Sequence, residues 1–172
     1  SINPHPGTEV TITDSNLQDL RSGLVTVGKA TLKNVTITES VHPAFGTDIF
    51  IENSRIADLY PSRTANLSIK KSKIKSLMVR GTLARPTPSI IVVSDTTIES
   101  LTGRDNPNLK LTNTSINFMN ISDTLKGNIS IDNLTTTNEL YYTRAGGMSD
   151  FSFVHGSIYF ENADLQHLIL KD

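Results

Sequence analysis

Residues 49–77 read IFIENSRIADLYPSRTANLSIKKSKIKSL and contain one pattern twice, eighteen residues apart. Ile49, Ile51, Ile56 and Leu59 are the apolar residues of the first copy; Leu67, Ile69, Ile74 and Leu77 take the same places in the second. The offsets are i, i+2, i+7 and i+10, with a polar residue at i+4, first Asn53 and then Lys71. Alternation at i and i+2 puts two side chains on one inward face of a short strand, while Ser68 and Lys70 point outward. An amphipathic helix would need apolar residues at i+3 and i+4, which both copies lack.

Working outward, the template recurs eight times, starting at residues 10, 30, 49, 67, 91, 109, 129 and 158. Val10, Ile12, Leu17 and Leu20 open the series, and Ile158, Phe160, Leu165 and Leu168 close it. Two copies fit less well: Val41 and Leu140 fall one place late, and Thr136 takes an apolar slot. Repeats of about this length that cannot bury their own apolar face must stack. The spacing predicts an all-β, right-handed parallel β-helix of eight or nine coils over residues 10–170, within a single domain 1–172. A lead-in occupies residues 1–9, and the two long spacings predict loop insertions near 78–89 and 141–156.

The i+4 column reads Asp14, Asn34, Asn53, Lys71, Asp95, Asn113, Asn133 and Asn162. Asn and Asp tolerate the left-handed backbone of a tight turn, and stacked amides can hydrogen-bond from coil to coil. The column therefore predicts an Asn/Asp ladder at one corner. The column is read as inward, and Lys71, its odd member, needs an acid or exposure.

Composition agrees with this reading. Thr, Ser and Asn supply 53 of 172 residues, types that suit strands and turns better than long helices. Sixteen basic against seventeen acidic residues argue against a dedicated nucleic-acid or anionic-membrane binder. The absence of Cys removes thiol chemistry, disulfides and Cys-based metal sites. No apolar run approaches the roughly 18 residues of a membrane helix, so membrane insertion is not expected. Residue 1 is Ser, and the chain stops at Lys171-Asp172 directly after Leu168, Ile169 and Leu170 with no cap. A solenoid end left open is an exposed strand edge, so a larger parent protein or a homo-oligomer, a trimer in the first instance, is expected to cover it.

The Asn column resembles that of the pectin-lyase-like group, which includes polysaccharide lyases, glycoside hydrolases, phage tailspikes and bacterial adhesins. Triplets such as Ser15-Asn16-Leu17, Ser54-Arg55-Ile56, Ser72-Lys73-Ile74 and Ala163-Asp164-Leu165 also resemble the pentapeptide-repeat-like β-helix, in the degenerate form found in some secreted bacterial ubiquitin-ligase effectors. The fivefold rhythm fails on the rest of each coil, so the first resemblance ranks higher. It implies an extracellular setting, on a cell surface, on a virion or secreted, and a carbohydrate or a protein receptor as partner. The lyase members would imply carboxylates on neighbouring coils around a groove; the outward columns offer Glu52, Asp132 and Glu161 on separated coils and Glu99 alone. No catalytic residue, metal site or cofactor is assigned. A polysaccharide-degrading enzyme and an effector's substrate-docking domain remain open alternatives.

Two stretches stand out as ligand-binding candidates. Tyr141, Tyr142 and Arg144, followed by His155 and Tyr159, combine aromatic faces and titratable groups in the longest interruption of the repeat, where recognition on a solenoid commonly sits. Between Leu59 and Ser94 lie seven basic and no acidic residues, among them Lys70, Lys73 and Lys75. Such a strip suits an anionic ligand, although stacking would place Lys70 beside Glu52 and Lys75 beside Glu99 and neutralise part of it.

Overall fold

The computed structural model describes residues 7–20, 27–43, 46–61, 66–80, 90–104, 108–124, 129–161 and 164–171. Every element is a strand. The first ten form five pairs, one pair to a turn: β1 (Thr8–Thr13) with β2 (Asn16–Leu17), β3 (Val27–Lys33) with β4 (Thr36–Val41), β5 (Asp48–Glu52) with β6 (Arg55–Leu59), β7 (Asn66–Lys70) with β8 (Lys73–Arg80), and β9 (Ile90–Ser94) with β10 (Thr97–Arg104). Two longer strands follow, β11 (Asn108–Thr124) and β12 (Ile129–Glu161), and then β13 (Asp164–Lys171). First strands stack on first strands in the order β1-β3-β5-β7-β9-β11, and second strands as β2-β4-β6-β8-β10-β11, all parallel. This is a parallel β-solenoid.

Register follows the sequence template. Val10, Ala30, Ile49, Leu67, Ile91, Leu109 and Ile129 pair in succession, as do Leu17, Ile37, Ile56, Ile74, Ile98 and Ile116 on the second side. From Ala30 to Leu109 on the first side and from Ile37 to Ile116 on the second these inward residues are buried, and Leu32, Ile49, Leu59, Leu77, Val93 and Ile98 are fully so. Each such side chain contributes about 1.5–3 kcal/mol relative to exposure, so the stack of columns is the main source of cohesion. Ile74 and Leu77 are both buried although three residues apart, as are Ile98 and Leu101. In a flat strand they would face opposite ways; the chain therefore bends between them, and a third side begins at Leu77.

Two features refine the expectations. The misfit of the weaker copies is absorbed by bulges: register slips between Ile37 and Ser40 against β6, and between Ile116 and Met119 against β12, bringing Val41 opposite Leu59 and Met119 opposite Leu140. One extra residue on a strand is the defining feature of a bulge. The count of turns also changes. Instead of eight or nine similar coils, five are built from separate strand pairs, and β11 then runs through the corner as one 17-residue strand into β12. Of the first expected insertion, residues 81–89 lie outside the described residues; the stack continues across it, with Leu67 paired to Ile91. The second falls within β12, where Tyr141 and Tyr142 pair with Asn120 and Ile121.

At the corner, Asp14, Asn34, Asn53, Lys71, Asp95, Asn113 and Asn133 all have φ between 48° and 56°. They point outward and are exposed, so the ladder decorates the outside of the corner rather than its inside, and Lys71 resolves its charge by exposure. Asn34 Nδ2 donates to Asp14 (2.9 Å), and Asn53 Nδ2 to Asn34 (2.7 Å). A second run repeats this: Asn113 Nδ2 donates to Asp95 (3.2 Å) and Asn133 Nδ2 to Asn113 (2.6 Å). Each Asn donates to the turn before it, so each run starts with an Asp, which only accepts.

The inside of the corner holds a second ladder, of hydroxyls. The Asn53 N–H donates onward to the Lys70 carbonyl (3.0 Å) and the Arg55 N–H donates back to Val35 (2.8 Å), which leaves the intervening Ser54 N–H between two backbone directions. Ser72 Oγ accepts it (3.1 Å), as Ser54 Oγ accepts from Val35 (3.2 Å) and Thr96 Oγ1 from Ser72 (3.3 Å). Each of these hydroxyls in turn donates to the carbonyl two residues back, at 2.7–2.8 Å. Buried N–H groups must be paired, and here side chains complete the pairing that the turning backbone cannot.

Candidate binding face

The outer face of the second side carries the outward residues at i+6 and i+8. On four successive strands, β4, β6, β8 and β10, these are Thr36 and Thr38, Arg55 and Ala57, Lys73 and Lys75, and Thr97 and Glu99. Together with the backbone of Ile37, Ile56 and Ile74 they line an open hollow of about 370 Å³. Its depth has a local cause. Ala57 offers only a methyl group where its neighbours in the column are Thr38 and Lys75, and the β4 bulge alters the spacing beside it. Arg55 pairs in register with Lys73, so two cations sit on adjacent strands, with Lys75 two residues further along β8.

Of the expected site residues, Lys70, Lys73 and Lys75 are exposed, with Lys73 and Lys75 in the hollow and Lys70 at the edge of the preceding corner. Lys70 does lie opposite Glu52. Glu52, however, pairs with Lys33 on its other side at 3.3 Å, so the expected neutralisation is directed to a different cation. Lys75 and Glu99 line the same hollow, as the stacking implied, and Glu99 is the one carboxylate in that lining. Tyr141, Tyr142, Arg144, His155 and Tyr159 have their backbone in β12; their side chains lie outside the described residues.

The sequence reading missed Arg55, Ala57, Thr36, Thr38 and Thr97 as parts of one surface. The signal was available in the outward columns: at i+6, Thr36, Arg55, Lys73 and Thr97 succeed one another, and at i+8 the smallest residue sits between a Thr and a Lys. Elsewhere, exposed Phe50 on the first side lies under the Lys29 ammonium, 5.7 Å from the ring centroid, and Lys29 also meets Glu9 at 3.5 Å. Among the described residues no group of three or more His, Asp or Glu is placed to hold a metal ion, and no helix is long and apolar enough to cross a membrane. Compared with protein-family models, with curated proteins and with solved structures, the chain matches none.

Proposed function

We propose that the protein is a non-catalytic recognition module that binds carbohydrate on the lateral face of its β-solenoid. The setting would be a secreted, cell-surface or virion protein, in the manner of the tailspikes and adhesins of the pectin-lyase-like group. The hollow at Ala57 carries this reading. It is a concavity lined by N–H and O–H donors from Arg55, Lys73, Lys75 and the threonines, on strands whose inward residues are locked in the core. A scaffold fixed on its inner side holds such donors in place before the ligand arrives, which lowers the ordering cost of binding. The volume, about 370 Å³, lies at the lower end of ligand sites, which suits a short stretch of a longer glycan.

The test is a glycan-array and lipopolysaccharide screen of the protein and of an Ala57→Trp variant, with released reducing ends measured on every hit. Ala57 is partly exposed, so an indole there fills the hollow while the inward columns stay intact. Glycan binding lost in the variant, with no reducing ends released, is the expected result. Equal binding by both proteins would remove the hollow from the reading, and cleavage of any hit would replace recognition with catalysis.

A further inference from the structure

Lys71 breaks two local rules at once. It holds φ = 49°, a conformation that costs an ordinary side chain about 1–2 kcal/mol and that Asn and Asp tolerate. It also separates the two amide runs, since the Asn donations described reach from Asn53 to Asp14 and from Asn133 to Asp95. No ion pair compensates among the described residues: Glu52 is taken by Lys33, and the carboxylate of Asp95 accepts from Asn113. Residues that depart from the rule their own repeat sets, without a structural gain, cluster at functional positions.

What Lys71 does gain is position. Lys70, Lys71, Lys73 and Lys75 lie on a single turn and are all exposed, running from the end of the first side, around the outer corner, into the hollow. Arg55 adds a fifth cation on the adjacent strand, where its backbone lies one strand spacing, roughly 4.8 Å, from that of Lys73. Resting on the recognition reading above, we infer that the ligand is a linear anionic polysaccharide, and that Lys71 is one of its binding residues, kept at the corner at the expense of the amide ladder. The belt runs across the second side and around its edge, so a chain that follows it meets cations on two sides of the solenoid.

The experiment compares wild type with Lys71→Asn, Lys71→Gln, Lys71→Arg and, as a control on the first side, Lys110→Asn. Heparin and alginate are the anionic probes and dextran is the neutral one; affinity is measured at two salt concentrations and thermal stability alongside. Lys71→Asn is expected to melt higher while binding both polyanions about two- to fivefold more weakly, the range of one exposed ionic contact. Lys71→Gln should lose the same affinity without the gain in melting temperature, Lys71→Arg should retain it, and Lys110→Asn should change neither. Added salt should weaken wild-type binding. Unchanged polyanion affinity in Lys71→Asn, or an equal loss in Lys110→Asn, overturns the role of Lys71. Binding of dextran alone overturns the anionic ligand but leaves the recognition reading standing, whereas binding of none of the three, with a silent glycan array, removes both.

Discussion

Ser72→Ala is the sharpest test of how the corner is held. Ser72 is 4% exposed; its Oγ accepts the buried Ser54 N–H at 3.1 Å and donates to the Lys70 carbonyl at 2.8 Å. Alanine fits the space but removes both bonds. The Lys70 carbonyl keeps the Asn53 N–H at 3.0 Å, so its loss adds little. The Ser54 N–H loses its acceptor in a buried corner, and leaving a buried donor unmade costs about 1–3 kcal/mol. For a chain of this size 2 kcal/mol corresponds to a fall of about 4–8 °C in Tm. Urea denaturation of wild type and variant, followed by circular dichroism, measures the difference, and an unchanged slope would show that the loss is in the native state. Two companions fix the interpretation. Ser72→Thr should stay close to wild type, because Thr96 fills the same role one turn on. Ser15→Ala should cost less than Ser72→Ala, because that hydroxyl is described only as a donor to Thr13, at the half-exposed first turn. A Ser72→Ala variant within 0.5 kcal/mol of wild type, roughly the scatter of surface substitutions, would refute the claim that internal hydroxyls satisfy the turning backbone.

Completing the outer ladder with Lys71→Asn/Asp95→Asn should raise stability by about 1–2 kcal/mol, chiefly from relief of the left-handed lysine, and a thermal melt no higher than wild type would count against this. Ile74→Ala, which opens the fully packed second-side column, should cost about 2–5 kcal/mol; a loss under 1 kcal/mol in urea titration would mean the column is slack. Glu52→Gln, which breaks the half-exposed pair with Lys33, should change stability by less than about 1 kcal/mol. By releasing Lys33 beside the basic belt it should also strengthen heparin binding, and weaker binding would contradict the charge map.

The inward columns were legible because they obey two independent periods, two within a strand and one turn between strands, and any slip of register would bury polar side chains. That is why the pairing of Leu67 with Ile91 could be read across the longer spacing between them. The left-handed corner was legible for a similar reason: few residue types tolerate it, so Asp14 to Asn133 announce it by identity. The hydroxyl ladder was not. Ser54, Ser72 and Thr96 are common residues in a chain rich in Ser and Thr, and only the direction of the flanking N–H groups distinguishes an acceptor from a surface serine. The hollow was harder still, since it lies where Ala57 offers a short side chain beside the β4 bulge, among neighbours distant in sequence.

This separation bears on how a solenoid acquires function. Inward residues answer to packing, and a change there costs several kcal/mol. Outward residues on the same strands touch little beyond the neighbouring turns, so Arg55 or Ala57 can change with small effect on the core. Lys71 lies on the boundary between these regimes. It is outward in its side chain but constrained in its backbone, and it therefore links surface charge to stability. If Lys71→Asn gains stability and loses affinity together, the corner is a place where recognition was selected over cohesion. If it gains stability alone, the lysine is only an imperfect rung, and recognition, if present, belongs to the freely variable positions of the hollow.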